Sequence, residues 1–274
     1  MKKKLLLAFA ALSSLVLLTG CGTSAITAKS TGLWEHGFVW NFGQVIKFLS
    51  FGGSMGVGII LFTLVIRVIL FPLMHFQMKS MRKMQDLKPE LDKLKVKYPG
   101  KDQESKQKAM EEQQRIYKEN GVNPYVGCLP MLVQMPVLWA LYQSISRIQE
   151  IHNGHFWIWD LGLHFSNSGN NVIYLILPVL AALATFASSY LNQMSQVEKN
   201  STTTMMTYGM PIMILFMGLG LASGVALYWT ISNLFQAGQT MIVNNPFTIK
   251  AERQAKIDAE KAKQKALKKL QKKR

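Results

Sequence analysis

Five long apolar segments limit what this chain can fold into. None of them contains an aspartate or a glutamate, and they cover residues 53–76, 125–148, 172–192, 203–219 and 223–243. A helix needs about 20 mainly apolar residues to cross the roughly 30 Å hydrocarbon core of a bilayer. The segments therefore predict an all-α, polytopic membrane protein with five transmembrane helices. The fourth segment is short and directly precedes the fifth, so we expect residues 203–243 to form a tight hairpin.

The distribution of basic residues predicts the orientation. A chain that is 49% hydrophobic with a net charge of +16 is neither a typical soluble enzyme nor a disordered polycation. Residues 77–124 contain twelve Lys/Arg against eight acids, and the tail from residue 246 contains eleven against three. Both belong in the cytoplasm by the positive-inside rule. The connection 193–202 is then cytoplasmic as well, and the connections 21–52 and 149–171 lie outside.

The N-terminus has the layout of a secretory signal peptide. Three lysines precede an apolar run, and residues 1–20 end before Cys21 in the sequence Leu18-Thr19-Gly20-Cys21. This ending resembles the lipobox of bacterial lipoproteins, which implies that Cys21 carries S-diacylglycerol and N-acyl groups and anchors the mature chain in the plasma membrane. The alternative is an uncleaved signal anchor with an ordinary buried thiol.

Two further helical regions flank the first span. Apolar residues at helical spacing within segment 21–52 predict an amphipathic helix on the outer membrane surface. The cytoplasmic segment 77–124 reads as a helical hairpin that turns at Pro99-Gly100. Pro89 must begin a new helical segment or kink the first one. The second helix of this hairpin has few apolar residues, so we expect the hairpin to be mobile. The basic cytoplasmic tail covers 244–274, and its part 250–274 should form a solvated helix when bound and be disordered when free.

Arg67 lies near the middle of the first apolar segment. A guanidinium stays charged, and a charge at the bilayer centre costs about 2.5 to 3.5 kcal/mol on the insertion scale. Because no apolar segment contains a carboxylate, we expect water in a cavity to solvate this side chain, although a snorkelling arginine is the alternative. Other polar side chains of the spans are candidates for the cavity lining or for interhelical hydrogen bonds: Gln134, Gln143, Ser188, Asn233 and Gln236.

No pattern in the chain indicates catalysis, a cofactor or a metal site. There is no glycine-rich phosphate loop, and the predicted site around Arg67 contains no nucleophile or general base. His152, His155 and His164 lie within the outer connection, but no cysteine or carboxylate cluster completes a coordination set. We therefore predict a protein that is not an enzyme, with no catalytic residue, no cofactor and no bound metal.

Three motifs resemble the YidC/Oxa family of membrane protein insertases, in its Gram-positive lipoprotein form. They are Asn123-Pro124-Tyr125-Val126-Gly127-Cys128-Leu129-Pro130-Met131-Leu132-Val133-Gln134-Met135-Pro136-Val137-Leu138-Trp139-Ala140-Leu141-Tyr142, then Gly224-Val225-Ala226-Leu227-Tyr228-Trp229-Thr230-Ile231-Ser232-Asn233, and Arg67 followed by Phe71-Pro72-Leu73. The resemblance implies a hydrophilic groove that opens to the cytoplasm and contains Arg67. Gln134 and Trp229 match groove positions of the family. The chain departs from the family at Ser188, where glutamine is frequent, and at Ala222, where proline is frequent.

The resemblance also implies a function and partners. The chain would assist the insertion and folding of nascent integral membrane proteins, with lipoproteins as a further substrate class, either alone or with the Sec translocon. The basic residues of 250–274 fit ribosomal RNA and anionic lipid equally well. Two rival functions are a small anion transporter or channel with Arg67 as its anion site, and a lipid-anchored scaffold. A transporter commonly shows repeated halves, and this chain has no clear internal repeat. Whether it dimerises is left open.

Overall fold

The structure is a computed structural model that describes residues 24–100, 102–196 and 201–272. The predicted signal peptide (1–20), Cys21 and part of the connection 193–202 lie outside the described residues. The described chain is helical apart from a two-stranded hairpin, β1 (His155–Phe156) with β2 (Trp159–Asp160). A π-helix (Glu35–Trp40) leads into α1 (Asn41–Leu49), and α2 (Met55–Asp86) follows. The remaining helices are α3 (Lys88–Lys97), α4 (Gln103–Glu119), α5 (Leu129–Arg147), α6 (Gln149–His152), α7 (Ile173–Met194), α8 (Ser201–Gly218), α9 (Ser223–Val243) and α10 (Pro246–Lys272).

A helix lies at each of the five apolar segments, namely α2, α5, α7, α8 and α9. Within the described residues, three stretches are long and apolar enough to cross a membrane: Met55–Asp86, Pro124–Arg147 and Ile173–Met194. The apolar part of α8, Thr203–Gly218, is shorter. The 21 residues of α9 are long enough, but Asn233, Gln236 and Gln239 lower its hydropathy. The predicted class, an all-α polytopic membrane protein, is confirmed, and the number of five spans stays a prediction.

The helix that contains the first predicted span continues beyond residue 76, because α2 runs as a single helix to Asp86. Its 32 residues correspond to about 48 Å, well beyond the thickness of a bilayer core. Leu87 then separates α2 from α3, and Pro89 occupies the first turn of α3, where its missing N–H costs nothing. Four of the apolar helices also contain an internal proline, which membrane helices tolerate when neighbours satisfy the freed carbonyl: Pro72, Pro136, Pro178 and Pro211.

The chain divides into two compact units. Unit 1 contains residues up to 69 together with 131–183 and 212–232. Its apolar core includes Ile46 of α1, Ile59 of α2 and Leu141 of α5, all fully buried. Gly58 permits the close approach of α1 to α2, since a Cβ at this position would lie 2.3 Å from the carbonyl oxygen of Ile46. The apolar side of α1 that faces away from this core stays exposed, which suits the surface location predicted for it: Val45 and Phe48.

Unit 2 contains residues 70–130, 184–211 and those from 233 onward. The hairpin of α3 and α4 has a small core of its own in Leu87, Tyr117 and Val122. Glu112 of α4 accepts hydrogen bonds from Lys97 at 2.9 Å and from Tyr98 at 2.8 Å. These bonds lower the pKa of the Glu112 carboxyl, and the bond to Glu112 raises the pKa of Lys97. The hairpin is therefore joined by polar as well as apolar contacts.

The basic tail is the helix α10, and its first turns pack within unit 2. Ile249 is buried, and Arg82 near the end of α2 forms an ion pair with Glu252 at 2.6 Å. Arg253 donates a hydrogen bond to Gln85 at 3.4 Å. The first turns of the basic tail are thus attached to the end of α2. Beyond Arg253, most of the described side chains are exposed.

Candidate functional site

Arg67 extends the buried stripe of α2 rather than its outward face. It follows Ile59 and Thr63 at intervals of four residues, which places the three side chains on one side of the helix. Ile59 and Thr63 are fully buried, and the hydroxyl of Thr63 donates to the carbonyl of Ile59 at 2.6 Å. Val65, Val68 and Ile69 point away and are exposed. Helical periodicity alone therefore directs the charge of Arg67 toward the inside of the helix bundle.

Tyr228 of α9 is close enough to Arg67 for their charges to interact. Tyr228 is 2% exposed. Gln134 of α5 donates a hydrogen bond to the Tyr228 hydroxyl. Within the described residues, Arg67 itself forms no hydrogen bond and no ion pair, so its N–H groups remain available to a ligand. Three helices of unit 1 thus place one cation and two neutral polar side chains together.

Tyr228 was not singled out as a site residue from the sequence, although it lies in the matched motif next to Trp229. A buried tyrosine in a membrane helix needs a hydrogen-bond partner for its hydroxyl. This requirement is the feature of the sequence that could have identified Tyr228. The partner itself could not be found by spacing, because Gln134 is 94 residues away along the chain.

Trp229 has a different environment from Tyr228, since successive residues of a helix point about 100° apart. Its partly buried side chain lines a small pocket in unit 1 between α7, α8 and α9. The other residues that line this pocket are apolar: Ala181, Ile214, Met217, Gly218, Leu221, Val225 and Ala226. Helix α9 thus contributes Tyr228 to the polar groups around Arg67 and the next residue, Trp229, to the apolar pocket.

Ser188 belongs to unit 2 and is 2% exposed. Its hydroxyl donates to the side-chain oxygen of Asn233 at 2.9 Å and to the carbonyl of Thr185 at 3.1 Å. The predicted lining residues Ser188 and Asn233 are therefore partners that join α7 to α9, which is the interhelical role that we considered as the alternative.

Gln143 does not lie with Gln134, because nine residues of α5 separate them by about 13 Å along the helix axis. Its side-chain oxygen accepts hydrogen bonds from Trp34 at 3.3 Å and from Arg147 at 3.0 Å. Arg147 is a second buried cation that the sequence analysis missed, since it stands at the edge of an apolar segment where an arginine normally reaches the surface. Its guanidinium also binds the carboxylate of Glu35.

The arrangement around Arg67 suits the binding of an anionic or polar group rather than bond-making chemistry. A guanidinium offers five N–H donors and cannot act as a general base. No carboxylate, histidine or cysteine with a nucleophilic role accompanies it among the contacts of the described residues. A search of those residues also finds no group of three or more His, Cys, Asp or Glu side chains placed to hold a metal ion.

Comparisons with known proteins agree on one family. A family model described as 60Kd inner membrane protein matches residues 47–255. The chain is 55% identical over 267 residues to the membrane protein insertase YidC of Enterococcus faecalis, covering 97% of this chain and 94% of that protein. It is 53% identical to membrane protein insertase YidC 1 of Lactococcus lactis, over the full length of both. A crystal structure of an active YidC insertase, at 31% identity, gives a TM-score of 0.54 over 75% of this chain and 45% of that one.

Proposed function

Because this chain belongs to the 60Kd inner membrane protein family, the YidC/Oxa insertases, we propose that it is a membrane protein insertase whose substrates are nascent integral membrane proteins. The observation that carries the mechanism is Arg67, a permanent cation in an apolar helix with no carboxylate partner among the described residues. A charge in the hydrocarbon core of a bilayer is energetically costly, so a charged residue at such a position indicates a functional role. We assign no cofactor, metal or bond-making step to this function.

In this mechanism, Arg67 attracts the polar, often acidic, N-terminal tail of a substrate. One acidic residue at the membrane centre costs about 3 kcal/mol, and a substrate helix of about 20 apolar residues gains roughly 6 to 12 kcal/mol on the same scale. Insertion is therefore downhill overall, and Arg67 lowers the barrier for the tail. A membrane potential that is negative inside contributes about 2.3 kcal/mol per 100 mV for each negative charge moved outward.

The proposed substrate contacts are Arg67, Gln134 and Trp229. Arg67 with Gln134 offers donors to the polar tail, and Trp229 with the apolar side chains around it offers an apolar surface to the substrate. Ser188 is added from the family resemblance alone. These residues would line a hydrophilic groove open to the cytoplasm, through which the substrate helix moves sideways into lipid. Whether the Sec translocon takes part is a separate question that this mechanism leaves open.

The proposed topology places the N-terminus outside the plasma membrane and the C-terminus in the cytoplasm. It rests on the excess of basic residues in 77–124 and in the tail from residue 246. Cys21, as the lipidated residue of the mature chain, would anchor the outer segment through two or more acyl chains. The exposed basic residues of 250–274 would bind a polyanion, either ribosomal RNA or anionic lipid headgroups.

The test is to replace Arg67 by alanine and by lysine in cells depleted of their own insertase. We expect insertion of a single-span substrate with an acidic tail to fall at least about tenfold in Arg67→Ala, because about 3 kcal/mol of uncompensated cost corresponds to more than a hundredfold. Arg67→Lys should keep part of the activity, since the charge remains but the forked geometry is lost.

Arg115→Ala is the matched control, because it removes an exposed arginine from the hairpin, 64% of whose side chain is accessible. It should leave insertion unchanged. Full activity of Arg67→Ala would remove the electrostatic role. Movement of inorganic anions into liposomes by the purified protein, without rescue of the depleted cells, would instead favour an anion transporter.

A further inference from the structure

Arg147 is the second arginine of unit 1, and each of its three guanidinium nitrogens has an acceptor. It is the last residue of α5, and its side chain is 7% exposed. Its Nε donates to the backbone carbonyl of Ser24 at 2.9 Å, and one Nη donates to Gln143 at 3.0 Å. The other Nη binds the carboxylate of Glu35 and lies 3.5 Å from the hydroxyl of Ser24. Arg147 is therefore a built carboxylate site with one occupant.

Glu35 is the only charged partner of Arg147 in the part of the chain that the structure describes. Its side chain is 25% exposed and makes no other ion pair among the described residues. It is the first residue of the π-helix that continues into α1, and no side chain caps this N-terminus. Gln143, by contrast, lies on the same helix as Arg147. If the carboxylate of Glu35 left, the guanidinium would keep its position and its direction.

The two arginine sites lie at different depths of the same bundle. Gln134, whose amide meets Tyr228 beside Arg67, and Arg147 are thirteen residues apart on α5, which is about 20 Å along the axis. In the proposed orientation, Arg147 marks the outer end of α5. A substrate tail that leaves Arg67 in the outward direction therefore approaches Arg147 next.

We propose that Arg147 is a second carboxylate-binding site for the substrate, at which an acidic residue of the exported tail replaces Glu35. This inference rests on the proposed function. The step is an exchange of ion pairs without any covalent change: one carboxylate binds the guanidinium and the other, already partly exposed, passes into water. A buried charge is costly to leave unpaired, so Glu35 keeps the site occupied between substrates.

Glu35 is tethered to the site, and so it competes at a high effective concentration. A free acidic peptide should not displace it, whereas a tail that is itself tethered by a substrate helix competes on similar terms. The exchange therefore favours tails that belong to an inserting chain.

The test compares two single-span substrates that differ only in tail charge, one with Asp or Glu and one with Asn or Gln at the same positions. Glu35→Gln removes the competing charge but keeps an oxygen that accepts a hydrogen bond. We expect it to raise the ratio of acidic-tail to neutral-tail insertion about tenfold, the usual scale for one hydrogen bond to a charged group. Arg147→Gln should lower this ratio, and the double variant should behave like Arg147→Gln.

A direct readout uses Ala25→Cys, an exposed position beside the Ser24 contact, and a single cysteine in the tail of a stalled substrate. Glu35→Gln should increase the disulfide yield with the acidic tail only. Glu150→Gln is the matched control, because Glu150 forms an exposed pair with Lys47 in the same unit, and it should change neither ratio nor yield. Equal effects of Glu35→Gln on both substrates would show that the pair only holds the fold and would overturn the inference.

The proposed function and this inference fail in different ways. If Arg67→Ala remains fully active, the electrostatic mechanism falls regardless of Arg147. If Arg67→Ala is defective but Glu35→Gln leaves the tail-charge ratio unchanged, Arg67 keeps its role and the second site is rejected.

Discussion

Arg67 and Arg147 illustrate how differently one residue type is used in two apolar helices. Arg147 is nearly inaccessible and is compensated by Glu35, Gln143 and Ser24. Arg67 forms no hydrogen bond and no ion pair within the described residues. Its N–H groups are therefore placed to receive a ligand, whereas those of Arg147 are already paired within the fold. Arg147 can therefore bind a substrate carboxylate only in exchange for Glu35, whereas Arg67 needs no such exchange.

A single glycine positions the helix that carries Arg67. We predict that Gly58→Ala lowers the thermal stability of the protein in detergent by about 1 to 3 kcal/mol, the usual cost of overpacking, because its Cβ would lie 2.3 Å from the Ile46 carbonyl oxygen. A carbonyl of the backbone cannot move aside as a flexible side chain does.

Gly238→Ala provides the control for this substitution, since Gly238 also lies in a helix but has no atom within 4 Å of the new Cβ. Its stability should be unchanged or slightly higher, because alanine favours helix. Equal melting temperatures for the two variants would contradict the close approach of α1 to α2.

At the scale of elements, the hairpin of α3 and α4 depends on one carboxylate. Glu112 meets Lys97, Tyr98 and Arg115, and its side chain is only 17% exposed. The pKa of Glu112 is lowered, so its contribution is present above the ordinary pKa of a glutamate and is lost as the pH falls through the lowered value. The pKa of Lys97 is raised, so its contribution is lost only as the pH rises through that raised value. The cluster is thus intact at neutral pH.

We predict that Glu112→Gln speeds amide hydrogen exchange in residues 88–119 by a few-fold at neutral pH, since local opening follows the loss of local contacts. The same variant should abolish the acid-dependent loosening of the hairpin that the original chain shows. Glu104→Gln, which removes only an exposed pair with Lys108 on α4, serves as the comparison. Protection that is unchanged in Glu112→Gln would mean that the Leu87, Tyr117 and Val122 core holds the hairpin alone.

At the scale of the whole molecule, the tail has two parts with different tasks. Its first turns are attached to the end of α2 through Ile249, Glu252 and Arg253. Residues 258–274 add eight basic and two acidic residues. The first part contributes to the fold of unit 2. The basic residues beyond it are suited to bind a partner with many negative groups.

We predict that a chain ending at residue 257 keeps its stability and its insertion activity for short substrates but loses most of its binding to ribosomes at low salt. Charge contacts with RNA weaken steeply as salt increases, so the original chain should show a steep salt dependence and the shortened chain a shallow one. Co-sedimentation across a salt series measures both. Ribosome binding that survives the truncation, together with lost binding to anionic vesicles, would assign the tail to lipid instead.

A chain ending at residue 245 tests the attached part, because it also removes Ile249 and Glu252. It should increase hydrogen exchange at the C-terminal end of α2, whereas the chain ending at residue 257 should not. The difference between the two truncations isolates attachment from charge.

The sequence by itself determined the class of fold and the position of each apolar helix, and it predicted a role for Arg67. These follow from local quantities, namely the length of an apolar run, the spacing of polar residues and the absence of acids from the spans. It also carried the motifs of the family. Proline positions also predict helix boundaries from the sequence alone, as Pro89 at the start of α3 illustrates.

Only the tertiary structure decided which polar groups meet. Gln134 and Tyr228 are 94 residues apart, and Glu35 and Arg147 are 112 apart, so no periodicity connects them. The tertiary structure also paired Gln143 with Trp34 and Arg147, and Ser188 with Asn233. A polar side chain in an apolar helix must find a partner or a ligand, but the choice between them depends on helix packing, and packing is a property of contacts between distant segments.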